Sequence, residues 1–167
     1  MILKNLSKSF YTNLIFVLLI FILDRFSKLY IIYLSERNLG SEIFSSKFLN
    51  ITLIWNEGIA FGLFSSNQNN LYNYLTIIIS VIILVIFVMI IKNTGFKRNS
   101  LLIIFAGALG NLYDRIFYRA VPDFIDFHIG EFHWFIFNIA DIFITLGVIF
   151  MILFELIGNN KKDYGQI

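Results

Sequence analysis

The chain has 167 residues, of which 58% are hydrophobic, with 20 Phe, a single Pro and no Cys. A soluble domain of this length cannot bury so much apolar surface, so lipid is the expected solvent for much of it. The net charge of +2, with no basic stripe, argues against a nucleic-acid partner; the lack of cysteine excludes disulfides, thiolate catalysis, Cys-ligated metal and a lipid anchor on the chain's own cysteine.

Four apolar stretches, at about residues 10–34, 71–91, 100–117 and 138–157, approach the length needed to cross a bilayer. All four are expected to be helices, because backbone polar groups in lipid have no other local partners. The first begins like a secretory signal, with Lys4 and Lys8 ahead of an apolar run. No small-residue cleavage site follows, and the run leads into Asp24-Arg25-Phe26-Ser27-Lys28, which predicts an uncleaved first helix. Lys92, Lys97 and Arg98 lie between the second and third stretches, and Lys161 and Lys162 follow the fourth. Basic residues in the other two connections are offset by Glu36, Glu42, Glu57, Asp123, Asp126 and Glu131. The positive-inside rule therefore places both termini in the cytoplasm and those two connections outside.

The expected architecture is an all-α integral membrane protein. It forms one membrane domain over residues 1–167, with outer loops at about 35–70 and 118–137 and a small β-sheet cradle in the first outer loop. There, Lys47-Phe48-Leu49-Asn50-Ile51-Thr52-Leu53-Ile54-Trp55 has the β-branched and aromatic content of a strand. Asn56-Glu57-Gly58 reads as a turn, and Ala60-Phe61-Gly62-Leu63-Phe64 as a second short apolar piece. The second outer loop carries Phe124, Phe127, Phe132, Trp134, Phe135 and Phe137, rings that suit the membrane interface. The tail from Asn159 is expected to be frayed and solvated.

Carboxylates beside lipid are costly and mark candidate sites. Asp141 follows Asn138 by three residues, so both share a helical face. Two readings stay open: a carboxylate working just below the outer surface, or an acid complementing a helix N-terminus capped by Asn138. Asp123, in Val121-Pro122-Asp123-Phe124, is by itself a turn aspartate. Together with Asp141 it forms a pair able to share a proton, one carboxylate acting as base on water and the other as acid, which hydrolyses an amide without metal. Asn111 and Asp114 share a face of the third helix, and Gly107, Ala108 and Gly110 admit a close neighbour. Asp114 with Arg115 is expected to form a buried ion pair holding helices together rather than a catalytic group. Asp24 and Lys28, four apart, are expected to neutralise each other. His128, Glu131 and His133 lack His-Glu-x-x-His spacing, so no metal site is expected, and no Gly-x-Ser-x-Gly elbow exists. A proton relay or transporter would also carry intramembrane carboxylates, but the cytoplasmic halves of the second and fourth stretches are almost purely apolar, Glu155 excepted.

Five motifs follow in order: Asp24-x-x-x-Lys28; Asn56-x-Gly58-x-Ala60-Phe61-Gly62; Gly107-Ala108-x-Gly110-Asn111-x-x-Asp114-Arg115; Val121-x-Asp123-Phe124; and Phe137-Asn138-x-Ala140-Asp141. In these the chain closely resembles the bacterial lipoprotein signal peptidases (signal peptidase II). The resemblance implies a metal-independent aspartyl endopeptidase without cofactor, in the bacterial cytoplasmic membrane, working near the outer face. It implies Asp123 and Asp141 as the catalytic dyad. The implied substrate is a prolipoprotein bearing diacylglycerol on its cysteine, cut just before that cysteine. Asn56, Gly58, Asn111, Arg115 and Asn138 fall at positions that support the dyad or hold substrate backbone or the peptide inhibitor globomycin. Asp24, Lys28 and Asp114 fall at structural polar positions. The resemblance also implies membrane lipid as a partner, and a monomer is expected. Two departures are visible: Arg119-Ala120 where many members carry Gly, and Phe135 where many carry Pro.

Overall fold

A computed structural model of the protein describes residues 8–58 and 69–163. In chain order the elements are α1 (Lys8–Arg37), β1 (Phe44–Ser45), β2 (Leu49–Asn56), α2 (Asn69–Lys92), α3 (Gly95–Phe117), β3 (Val121–Ile129), β4 (Phe132–His133) and α4 (Ile139–Asp163). The apolar piece Ala60–Phe64 lies outside the described residues.

Among the described residues, three segments are apolar and long enough to cross a membrane: Tyr72–Lys92, Gly95–Phe117 and Ile139–Ile157. At 30 residues, α1 is about 45 Å long, also enough to span. Ile77, Leu84, Phe154 and Leu156 are among the many exposed large side chains on these helices. Such an outer surface is at equilibrium only in lipid. The central helix is α3, which packs against the other three. Its N-terminal half meets Val17, Ile20 and Ile90 through Leu101, Leu102 and Ala106.

The contact between α3 and α4 is close because small residues face it. A Cβ on Gly107 would lie 2.5 Å from the Ala140 carbonyl oxygen, and one on Gly147 would lie 2.6 Å from Ile104 Cγ1. Without a hydrophobic drive between helices in lipid, such backbone approach is a main source of association.

Two helices run past the expected ends. Polar residues Lys97 and Arg98 belong to α3, which starts at Gly95, and α4 continues to Asp163 through the stretch expected to be frayed. Hydropathy finds only the part of a helix that lipid covers, and the backbone ladder continues past it into water.

The sheet is not confined to the first outer loop. It has four antiparallel strands in the order β1-β2-β3-β4, and the last two come from the connection between α3 and α4. The aromatic content that suits an interface belt masks a period of two in β3, where Phe124, Asp126 and His128 alternate with Asp123, Ile125 and Phe127. One edge of β3 pairs with β2, with a register shift between Ile51 and Ile54 that sets Ile54 opposite Asp123 and Asn56 opposite Val121.

On its other edge β3 captures Phe137, two residues before α4. Phe137 accepts hydrogen bonds from Phe124 N (3.1 Å) and Ile125 N (2.8 Å) and donates to Ile125 O (3.1 Å). That clasp sets the start of α4 against the strand. The turn from α3 into β3 passes through Arg119 at φ 56°, a left-handed conformation costing a side chain roughly 1 kcal/mol. Arg119 belongs to the Arg119-Ala120 pair at which the sequence departs from a glycine, a residue that would adopt that conformation freely. Arg119 is held there by a 3.0 Å hydrogen bond from its Nη2 to Asn73 Oδ1.

Candidate active site

The N-terminus of α4 is built by Asn138. Its Oδ1 accepts from Asp141 N at 3.1 Å, and its backbone N–H donates to Asp141 Oδ2 at 3.1 Å. This is a reciprocal capping box, with Asp in the place usually taken by Glu or Gln. The helix-capping reading of Asn138 and Asp141 is therefore realised. Capping still leaves Asp141 Oδ1 for a 2.7 Å hydrogen bond from Asn111 Nδ2.

The side chain of Asn138 reaches out of the cap. Fully buried, its Nδ2 donates to Asp123 Oδ1 at 2.6 Å and to Asn111 Oδ1 at 3.2 Å. One residue thus holds Asp123 through its side chain and Asp141 through its backbone. The other oxygen of Asp123 accepts from Asn56 Nδ2 at 2.9 Å. Asn56 is aimed by its own turn, since Gly58 N donates to Asn56 Oδ1 at 3.1 Å.

Asp123 and Asp141 differ in surroundings. Asp123 is 4% exposed, whereas Asp141 is partly open and lines a cavity of about 600 Å³ walled by Phe48, Phe127, Trp134, Phe135, Phe137 and Leu146 among others. Burial, reinforced by the charge of Asp141, pushes the Asp123 carboxyl up to about 6; hydrogen bonds from Asn56 and Asn138 and the charge of Lys28 oppose the rise. One carboxylate is thus out of water and the other faces a cavity, with amide donors fixing both.

Behind the pair lies a buried charge cluster. Lys28 Nζ contacts Asp24 (3.0 Å to Oδ2), Asn111 Oδ1 (2.9 Å) and Asp114 Oδ2 (2.7 Å). Lys28, Asp24 and Asp114 are all fully buried. The remaining oxygen of Asp114 meets Arg25, a residue the sequence reading did not single out. Arg25 is visible beforehand only as the neighbour of Asp24, and adjacent helical residues point in different directions. The cluster reaches α4 as well, because Asp24 Oδ1 accepts from Ala140 N at 3.0 Å. Gly110 makes room for it, since a Cβ there would sit 2.5 Å from Asp24 Oδ2.

The expected Asp114–Arg115 ion pair does not form. Successive helical residues diverge by about 100°, so Asp114 turns to α1 while Arg115 turns away. The Arg115 Nη1 donates to Asn111 O at 3.1 Å, and its charge is felt by Asp141 and Asp123. Asn56, Gly58, Asn111, Asp123, Asn138 and Asp141, far apart in the chain, are thus brought together, with Arg115 at the edge. Asp126, the other aspartate of the connection between α3 and α4, stands apart from this group, paired with His133 at 2.8 Å.

A sequence model of the family described as signal peptidase (SPase) II matches residues 16–157. The chain belongs to the signal peptidase II family. It is 54% identical over 155 residues to the lipoprotein signal peptidase of Pelagibacter ubique (strain HTCC1062), covering 93% of each chain. It is 38% identical over 157 residues to that of Anaplasma marginale (strain Florida), covering 92% of this chain and 89% of the relative. Among solved structures it is similar to a bacterial membrane enzyme determined by the in meso method at 1.9 Å resolution, with a TM-score of 0.70 and 35% identity over 85% of this chain and 90% of that one. A second, determined at 2.3 Å, gives a TM-score of 0.69 with 34% identity over 90% of this chain and 91% of that one. Membership of signal peptidase II makes this chain a membrane-embedded, multi-pass peptidase.

Proposed function

We propose that the protein removes signal peptides from diacylglyceryl-modified prolipoproteins, cutting just before the lipid-modified cysteine, by an aspartyl mechanism run by Asp123 and Asp141. The observation that carries this reading is the bridge made by Asn138, whose side-chain amide holds one aspartate and whose backbone N–H holds the other. Structural carboxylates are normally neutralised by cations, as Asp24 and Asp114 are by Lys28. Asp123 and Asp141 are instead held by amides, which position them and leave their protons exchangeable.

In the proposed reaction one carboxylate takes a proton from water, the oxygen attacks the scissile carbonyl, and the other carboxyl protonates the departing amine. No metal is needed, since the attacking water is activated by a base alone. Asn56, Gly58, Asn111, Arg115 and Asn138 support the dyad and hold the substrate backbone, or that of a globomycin-type inhibitor. The apolar cavity beside Asp141 supports a lipid-bearing substrate, because its aromatic walls suit acyl chains rather than a polar peptide. The protein acts as a monomer in the bacterial cytoplasmic membrane, bathed in its lipid. In a gel-shift assay in detergent, a diacylglyceryl-modified prolipoprotein is expected to be cut with excess chelator present, and the unmodified precursor to stay intact. Cleavage abolished by chelator, or equal for both precursors, overturns the reading.

The dyad and the sheet are placed on the outer face, with both termini inside. The chain has no native cysteine, so single cysteines report orientation cleanly. A cysteine replacing exposed Glu42 is expected to react with a membrane-impermeant maleimide on intact cells, and one replacing Asn93, in the connection after α2, only after lysis. The reverse pattern refutes the orientation.

The raised Asp123 carboxyl has a thermodynamic consequence. An ordinary aspartyl group loses its proton near 3.8, but the folded protein keeps this one to about 6. Between those values the folded state holds more protons than the unfolded state, so this group's contribution to stability falls as pH rises, and levels off above about 6. The full change is up to about 3 kcal/mol for a shift of this size. Melting temperatures in detergent from pH 4 to pH 8 are expected to decline less for Asp123→Asn than for the wild type; parallel declines would show that Asp123 titrates normally.

A further inference from the structure

The hairpin of β3 and β4 carries a second group of ligating side chains, separate from the proposed dyad. Asp126 and His128 are two apart on β3, so they rise from the same face of the strand. His133 on β4 is the register partner of His128, and side chains directly opposite each other also share a face. The two imidazole rings stack with centroids 4.9 Å apart, and His133 Nδ1 lies 2.8 Å from Asp126 Oδ2. One ligand atom from each of the three residues lies within 4.8 Å of the others. The sequence trio of His128, Glu131 and His133 had the wrong spacing; the hairpin supplies Asp126 as the carboxylate instead.

Two atoms of this group are left unsatisfied. Asp126 is 7% exposed, yet its Oδ1 has no hydrogen-bond partner among the described residues, and neither has the buried Nδ1 of His128. A buried carboxylate oxygen and imidazole nitrogen without partners are costly, and each is an electron-pair donor to a metal ion.

We propose that Asp126, His128 and His133 bind a zinc ion, with the remaining coordination position open to water. Two imidazoles and one carboxylate form a borderline donor set suited to zinc, whereas calcium and magnesium take oxygen throughout. Bonds of about 2.0 Å to a tetrahedral ion place donor atoms roughly 3.3 Å apart, so the group must contract by an ångström or so. His133, with its side chain 49% exposed, is free to make that movement. The ion would clip β4 to β3 and stiffen Phe127, His128, Ile129 and Phe132, all of which wall the cavity beside Asp141. It would not join the hydrolysis. Asp126 is three residues along β3 from Asp123, about 10 Å, and an odd spacing puts the two on opposite faces.

The test uses the full chain in detergent, purified through a tag that contains no histidine. Wild type, His133→Ala and the double variant His128→Ala/His133→Ala are dialysed against micromolar zinc, and metal per chain is measured by mass spectrometry. Wild type is expected to retain one equivalent, the single variant markedly less and the double variant none. Zinc is expected to raise the melting temperature of the wild type alone, and cobalt in its place to give visible ligand-field bands of an N/O site. Zinc content equal in all three proteins, or absent from folded wild type, overturns the proposal. Because the His133 side chain is half exposed, the single variant decides the matter if the double variant does not fold.

Discussion

Asp123→Asn and Asp141→Asn are each expected to lower the cleavage rate by at least about a thousandfold, within the range by which positioned general acids and bases accelerate reactions. Either variant leaves one carboxyl, which cannot serve as base on the water and as acid to the leaving amine while sharing no proton with a partner. The fold is expected to survive. An asparagine at 141 still accepts from Asn111 Nδ2 through its carbonyl, and loses only the acceptor that faces Asn138 N. That loss is worth about 1 kcal/mol. Asn138→Ala separates the two roles of the bridging residue. It removes the cap and the donor to Asp123 together, so stability should fall by about 1 kcal/mol along with activity. The decisive comparison is the single-turnover rate on diacylglyceryl-modified substrate beside the melting temperature of the same sample. A well-folded Asp123→Asn or Asp141→Asn protein cutting at the wild-type rate would falsify the dyad.

Lys28→Met is expected to be the most destabilising single change in the membrane region. Lys28 is the shared cation of Asp24 and Asp114, and all three are fully buried. Removing it leaves two acids facing each other in a low-dielectric interior, with Arg25 left among the described residues to offset them. Breaking a buried ionic group in this way typically costs about 3–5 kcal/mol. The damage should travel to the candidate site, because Lys28 also donates to Asn111, which holds Asp141. Asp24, once displaced, also releases Ala140 N at the first turn of α4. Lys28→Met is therefore expected to melt far below the wild type. Lys28→Met combined with Asp114→Asn should recover part of the loss, because one uncompensated charge goes with the substitution. Equal melting temperatures for Lys28→Met and wild type would mean that the cluster is solvated rather than buried.

The parts of this protein legible in its sequence are those whose partners lie within one helical turn or one hydrophobic run. Spans follow from runs of apolar residues, because lipid imposes its thickness on any helix that crosses it. Asp24 with Lys28, and Asn138 with Asp141, follow from the helical repeat, which places residues three or four apart on one face whatever the rest of the chain does. The likeness to signal peptidase II rests on five short motifs, and Lys28, Asn56, Asn111, Asp123, Asn138 and Asp141, drawn from all five, form one hydrogen-bonded group even though no single motif determines how.

The tertiary structure decided the long-range choices. Asp123 meets Asn138 because β3 pairs with β2 on one edge and clasps Phe137 on the other. Asp114 chose Lys28 and Arg25 over its neighbour Arg115 because the α1–α3 packing put those cations on its side of the helix. Asp126 met His133 because of the β3–β4 register, seven residues apart in the chain yet in hydrogen-bonding contact. Local periodicity is encoded in the rise and rotation of each residue and so is written along the chain. Strand partners and helix neighbours depend on register and on which faces close together, and those are selected by the energy of the whole assembly.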